Sequence, residues 1–173
     1  MKGDVSLLDA PVPDRLVVDL AERPESVPEP RFVADVVAAD GWLDLAVLRV
    51  TKTADGTSID PNALQLRHAR VGDARALGLG QPVRVLGYPG LGGQTVTLSV
   101  GRVSGFLPQE HVGLRAWVKT DTAISPGSSG GLAVDDQGLL VAVPSQMALV
   151  PGEPNLLRPV DLAGPLLAAA ATG

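Results

Sequence analysis

Glycine and proline interrupt this chain every few residues, and that punctuation is its strongest constraint on fold. Twenty glycines and fifteen prolines fall among 173 residues. Between them lie short runs rich in valine and leucine, a pattern that predicts many short strands joined by turns, as in an all-β sandwich or barrel. Runs at 15–20, 32–39 and 43–50 read as a meander, with Asp40-Gly41 as the turn between the second and third. The segment 22–30 is rich in proline, which cannot donate to a ladder, and reads as a surface connection. Residues 1–13 read as loop, 51–62 as a polar connection, and 64–79 carries no clear period.

The second half is more regular. A strand at 83–87 is broken by Tyr88-Pro89-Gly90. Thr95, Thr97 and Ser99 then alternate with Val96, Leu98 and Val100, the period of a half-buried strand, here continuing to residue 106. A loop at 108–113 precedes a strand at 116–120. The run Asp135-Asp136-Gln137-Gly138 predicts a hairpin turn between strands 132–134 and 139–143. A last strand covers 158–160, and Asp161 is expected to cap a closing helix over 162–170, with Pro165 tolerated in its first turn.

Composition narrows the class. A hydrophobic content of 45% in 173 residues fits one globular domain with its own core and excludes a disordered chain. No apolar run approaches the roughly 20 residues of a membrane-spanning helix. The formal charge of −5 and the lack of a basic stripe make nucleic acid an unsuitable partner. The chain has no cysteine, which excludes disulfides and thiolate metal sites.

Chemistry concentrates in residues 121–134. An apolar piece, Ala116-Trp117-Val118, leads in, and Leu132-Ala133-Val134 leads out. Between them is a turn of small residues with adjacent hydroxyls. Small residues let successive N–H groups point into one concavity, and a serine beside such groups has what acyl transfer needs. A second candidate is Asp44, a carboxylate heading the apolar run Leu45-Ala46-Val47-Leu48. Burying it costs several kcal/mol unless something donates to it. Read alone, it is either a strand-start aspartate satisfied by nearby backbone or an orienting carboxylate.

Pro126-Gly127-Ser128-Ser129-Gly130-Gly131 resembles the nucleophile motif of chymotrypsin-like serine proteases of the bacterial HtrA branch. Asp44-Leu45-Ala46-Val47-Leu48 is similar to the segment carrying that family's aspartate, and it lies 85 residues before Ser129. Gly80-Gln81-Pro82-Val83 through Gly87-Tyr88-Pro89, Gly101-Arg102-Val103-Ser104-Gly105 and Leu157-Arg158-Pro159-Val160 resemble further family motifs in the family's order.

The resemblance implies a double β-barrel. Residues 15–79 would be the remnant of an incomplete N-terminal barrel, 80–160 the C-terminal barrel, and 161–171 a closing helix. Together they would form a single domain over 1–173 with no PDZ module. It implies a serine endopeptidase acting on polypeptides without metal or organic cofactor. Ser129 is the expected nucleophile and Asp44 the expected orienting carboxylate. The oxyanion hole is expected at Gly127, Ser128 and Ser129, chiefly from the N–H groups of Gly127 and Ser129. Pro144, Ser145 and Gln146 are expected to flank the cleft and pair with substrate.

The family's mechanism also needs a histidine upstream of the aspartate. None precedes Asp44; His68 and His111 match no family motif. Lys119 is a weaker candidate still for the base. The sequence starts where that motif would just have ended. The expectation is therefore that two barrel strands and the imidazole lie outside this chain, which alone would be inactive. The edges left open would then invite self-association. A non-catalytic peptide- or protein-binding module is the alternative. No export signal is present in the sequence, so the compartment is left open.

Overall fold

The computed structural model describes residues 15–60, 63–90, 94–150 and 152–172. The loop reading of 1–13 lies outside them. Three strands, β1 (Leu16–Leu20), β2 (Glu29–Asp40) and β3 (Leu45–Thr53), form an antiparallel sheet in the order β1-β2-β3. Six more close a barrel: β4 (Pro82–Gly87), β5 (Thr97–Gln109), β6 (Gly113–Thr120), β7 (Leu132–Val134), β8 (Leu140–Gln146) and β9 (Asn155–Pro159). Their order round the barrel is β4-β5-β6-β9-β8-β7. The fold is thus mostly β, with one closed barrel, a second open sheet and one short helix, α1 (Gly164–Thr172).

Alternation drives the barrel. Along β4, Val83 and Val85 point inward and are 0% and 2% exposed, meeting Val103, Val118, Val141 and Leu157. Burying each such side chain contributes about 1.5–3 kcal/mol. The segment 64–79, unreadable in sequence, belts the barrel instead of forming a strand. Gly72 N donates to Leu140 O at 2.8 Å, and Leu140 N donates to Arg70 O at 2.8 Å. Ala74 and Leu77 then close the core from a single 3-10 turn.

Several expected boundaries move, each for a local reason. The expected loop at 108–113 shrinks to three residues because β5 runs on to Gln109. Pro108 falls at the register shift between Leu107 and Gln109, where its missing N–H breaks no regular rung. The last strand begins at Asn155, because Leu156 and Leu157 pair with Lys119 and Val118. Asp161 does not cap the closing helix. It lies in a 3-10 turn, Val160–Ala163, that precedes α1, and its carboxylate accepts from Ala74 N at 3.3 Å. The carboxylate therefore ties helix to barrel rather than ending the helix.

The closing helix joins sheet and barrel away from the serine turn. α1 packs against β2 and β3, and Arg49 of β3 donates to the Ala170 carbonyl. Among the barrel strands, Arg158 of β9 is fully buried with its guanidinium 3.3 Å from the centre of the Trp117 ring of β6. Among the described residues no helix is long and apolar enough to cross a membrane.

Candidate active site

The serine turn is fixed from beneath by buried hydroxyls. Thr120 Oγ1 donates to Arg102 O at 2.9 Å, accepts from Thr122 N at 3.0 Å and lies 2.7 Å from Thr122 Oγ1. Both threonines are 0% exposed. Asn155 Nδ2 holds Thr122 O at 2.8 Å. Thr120→Val keeps the shape but leaves Thr122 N and Thr122 Oγ1 without this partner, while Arg102 O keeps Asp121 N at 3.3 Å. We expect a loss of about 2–3 kcal/mol in urea unfolding at constant m-value. A change under about 0.5 kcal/mol would show that the hydroxyl pair does not hold the turn.

The same turn separates its two serines. Ser128 is 5% exposed, and its Oγ accepts from Ser125 N at 3.3 Å. Ser129 is exposed. Gly131 permits this because a Cβ there would meet Leu86 O and lie 2.8 Å from Ser128 O. Gly130 N donates to Pro144 O at 2.9 Å, which seats the turn on β8.

Backbone N–H groups divide in the same way. Ser128 N donates to Ser125 O at 2.8 Å. The expectation that Ser128 contributes to the oxyanion hole is corrected here, since its donor is already committed inside the turn. Among the described residues no acceptor takes the N–H of Gly127 or of Ser129.

Asp44 is not on the strand that the sequence predicts but one residue before it, with φ 55. The turn is pinned by Asp40, whose Oδ1 accepts from Trp42 N at 2.8 Å and Leu43 N at 3.1 Å. A left-handed aspartate is tolerated in such a turn and is uncommon elsewhere. Its carboxylate accepts from Ser145 Oγ. Ser145 in turn accepts at its carbonyl from Ser129 Oγ at 3.2 Å. One residue of β8 therefore touches both the hydroxyl and the carboxylate, and brings together groups 85 positions apart. Pro144 supplies the carbonyl that holds Gly130, and Gln146 ends β8 exposed.

Neither histidine joins this cluster. His68 is exposed in the belt, and His111 sits at the β5–β6 turn, 3.3 Å from Glu110. Lys119 borders a polar hollow with Ser104, Asp121 and Glu153. Among the described residues no hydrogen bond links any of the three to Ser129 or Asp44.

Two participants escape a sequence reading. Gln109 Nε2 donates to Trp42 O at 3.1 Å, and Trp42 Nε1 donates to Glu110 O at 3.4 Å, so the β5–β6 hairpin grips the turn that carries Asp44. Arg158 Nη1 donates to Gln109 Oε1 and to Ala116 O, each at 2.9 Å. Burial pushes the Arg158 guanidinium below its ordinary pKa, and the carboxylates of Asp44 and Asp40 offset part of that. The signal for Arg158 was a cation after two leucines in a strand. Gln109 had none. Beside Ser129 an apolar hollow of about 540 Å³ opens, lined by Leu86, Tyr88, Val96, Leu132 and Val143.

An exposed serine between free N–H groups, at the seam of a closed barrel and a second β-sheet, defines a β-domain of the serine-hydrolase kind. Comparison with known proteins gives the family. The model of the trypsin-like peptidase domain matches residues 17–143, and the chain belongs to that family. It is similar to Protease Do-like 8, chloroplastic, of Arabidopsis thaliana, at 35% identity over 114 residues, 64% of this chain and 23% of that protein. It is similar also to Serine endoprotease DegS of Escherichia coli (strain K12), at 31% identity over 112 residues, 65% of this chain and 29% of that one. The chain thus spans about a quarter of the length of these curated relatives. The fold matches that of the HtrA-type protease AlgW with decapeptide, with a TM-score of 0.70 at 24% identity over 92% of this chain and 45% of that one.

Proposed function

We propose that this chain is a serine endopeptidase domain acting on polypeptides, with Ser129 as nucleophile and Asp44 as the carboxylate that orients a base. In this reading residues 15–79, 80–160 and 161–171 work as one domain. The N–H groups of Gly127 and Ser129 stabilise the oxyanion, and Pro144, Ser145 and Gln146 line the substrate strand. The observation that carries it is Ser145, whose carbonyl takes Ser129 Oγ at 3.2 Å and whose hydroxyl donates to Asp44. The decapeptide bound by AlgW supports a polypeptide as the substrate class.

His68 and His111 lie away from Ser129, and in this reading the stretch 1–173 brings no imidazole of its own to take the serine proton. Loss of one triad member removes most of the rate, and peptide hydrolysis by this chain should stand about 10⁴-fold or more below that of a complete triad. A fluorophosphonate separates the nucleophile from the turnover. We expect slow labelling, mapped by mass spectrometry to Ser129 and abolished in Ser129→Ala. Labelling on another residue at the same rate in both proteins would remove the nucleophile assignment.

A second reading, a peptide-binding module without turnover, has one observation in its favour. The Ser129 hydroxyl rests on a carbonyl rather than a base. Fast labelling of Ser129 would exclude it. The exposed apolar side chains of Val17, Val36 and Leu48 on the open sheet support self-association within either reading.

A further inference from the structure

Aromatic surface is scarce in this protein, and what is exposed lies at the candidate site. Of two tryptophans, two phenylalanines and one tyrosine, only Trp42, at 59%, and Tyr88, at 43%, rank among the exposed large hydrophobics. Tyr88 lines the hollow that opens beside Ser129. Trp42 belongs to the turn that carries Asp44, two residues before it.

Trp42 is exposed yet held. Its N–H donates to Asp40 Oδ1 at 2.8 Å, its carbonyl accepts from Gln109 Nε2 at 3.1 Å, and its indole N–H donates to Glu110 O at 3.4 Å. The polar edge of the ring is therefore satisfied by the protein, and what remains for solvent is apolar face. Keeping a large aromatic ring in water forgoes burial worth about 1.5–3 kcal/mol. A ring fixed in advance binds a partner with less ordering cost.

The β8 edge fixes which partner could reach it. β7 pairs antiparallel with β8 at Leu140 and Ala142. Past that point the edge is held only by Gly130 N on Pro144 O and Ser129 Oγ on Ser145 O, and no described strand covers it further on. An extended peptide continuing the line of β7 would run antiparallel to β8. With the bond to be cut at Ser129, residues preceding that bond pass Gln146 and Met147. Two or three such residues cover about 7–10 Å. Trp42 lies within about 7 Å of Asp44 along the backbone, and the Asp44 carboxylate already touches Ser145.

We infer that Trp42 is a specificity-determining residue, a platform for an apolar side chain two or three positions before the scissile bond. This rests on the endopeptidase reading for its orientation, and deepens it by naming a preference. The Asp40 carboxylate, bonded to the Trp42 backbone N–H, disfavours an acidic side chain at the same place.

The test needs no turnover. The ¹⁵N-labelled chain has only two indole N–H signals, from Trp42 and Trp117, and Trp42→Phe identifies which is which. The probes are acetyl-Phe-Ala-Ala-Val-amide and acetyl-Asp-Ala-Ala-Val-amide. Titration with the first should shift the Trp42 indole signal together with the amides of Ser145 and Gln146. It should bind about tenfold tighter than the acidic peptide. Trp42→Ala should abolish that difference, and Trp42→Phe should retain most of it. If the β8 amides shift while the indole does not, the Trp42 assignment is overturned and the cleft survives. If the indole shifts without the β8 amides, the strand pairing assumed for the endopeptidase fails, while Trp42 remains an aromatic binding platform. If neither moves, both are lost.

Discussion

Gly127→Ala should destabilise the protein by about 2–5 kcal/mol and erase the pre-formed serine turn. Two costs add. Gly127 has φ 96, which a residue with a Cβ adopts only under strain. A Cβ there would also collide with the Tyr88 carbonyl oxygen and lie 3.2 Å from Gly90 N and from Pro89 Cα. All are backbone or ring atoms that cannot swing aside, since Gly90 N is itself bonded to Pro126 O at 3.1 Å. Gly130→Ala provides the control. It also has positive φ, 77, but nothing within 4 Å of the added carbon. That variant should cost only the backbone term, about 1–2 kcal/mol. Equal losses in urea melts of the two variants would show that the Tyr88 contact does not constrain the turn.

Arg158→Ala should cost about 3–5 kcal/mol. The guanidinium is 0% exposed and stacks on Trp117. Its removal strands the Gln109 Oε1 and Ala116 O acceptors and leaves a void above the indole. Arg158→Met fills much of that void without the charge, and should recover roughly half the loss, because buried cations carry a desolvation cost that an apolar isostere avoids. Thermal or urea unfolding with Trp117 fluorescence reads both. If the methionine variant fell as far as the alanine variant, the hydrogen bonds and not the packing would be the whole contribution. If neither fell by 1 kcal/mol, Arg158 would be a passenger.

Much of this was legible in the chain, and particular residues show why the rest was not. The strand β4 follows from alternation at Val83 and Val85, which a period of two reveals. The same period located β5 but gave its faces the wrong way round: Leu98 and Val100 are 55% and 64% exposed, and the chain turns its core face inward only from Val103, 2% exposed. The turn at 126–131 stood out because its glycines answer a steric demand, visible in the Leu86 and Tyr88 carbonyls that leave no room for a Cβ. The strand after Asp44 was started two residues too early, because the turn before it depends on the Asp40 carboxylate reaching forward to Trp42 and Leu43, a side-chain bond that periodicity does not show. Asp161 looked like a helix cap from its position, yet Ala74, 87 residues away, takes its carboxylate. Ser145 was read as part of a substrate strand. That it bridges both halves could not be read, since a serine at a strand end carries no periodic or spacing signal.

That bridge sets a condition on how the molecule can be engaged. A chain laid against β8 would bring its own amide to the Ser145 carbonyl, and the acceptor now occupied by the Ser129 hydroxyl would have two claimants. Docking and the unparking of the hydroxyl are then a single competition at one oxygen atom. The other end of the same residue stays fastened to Asp44.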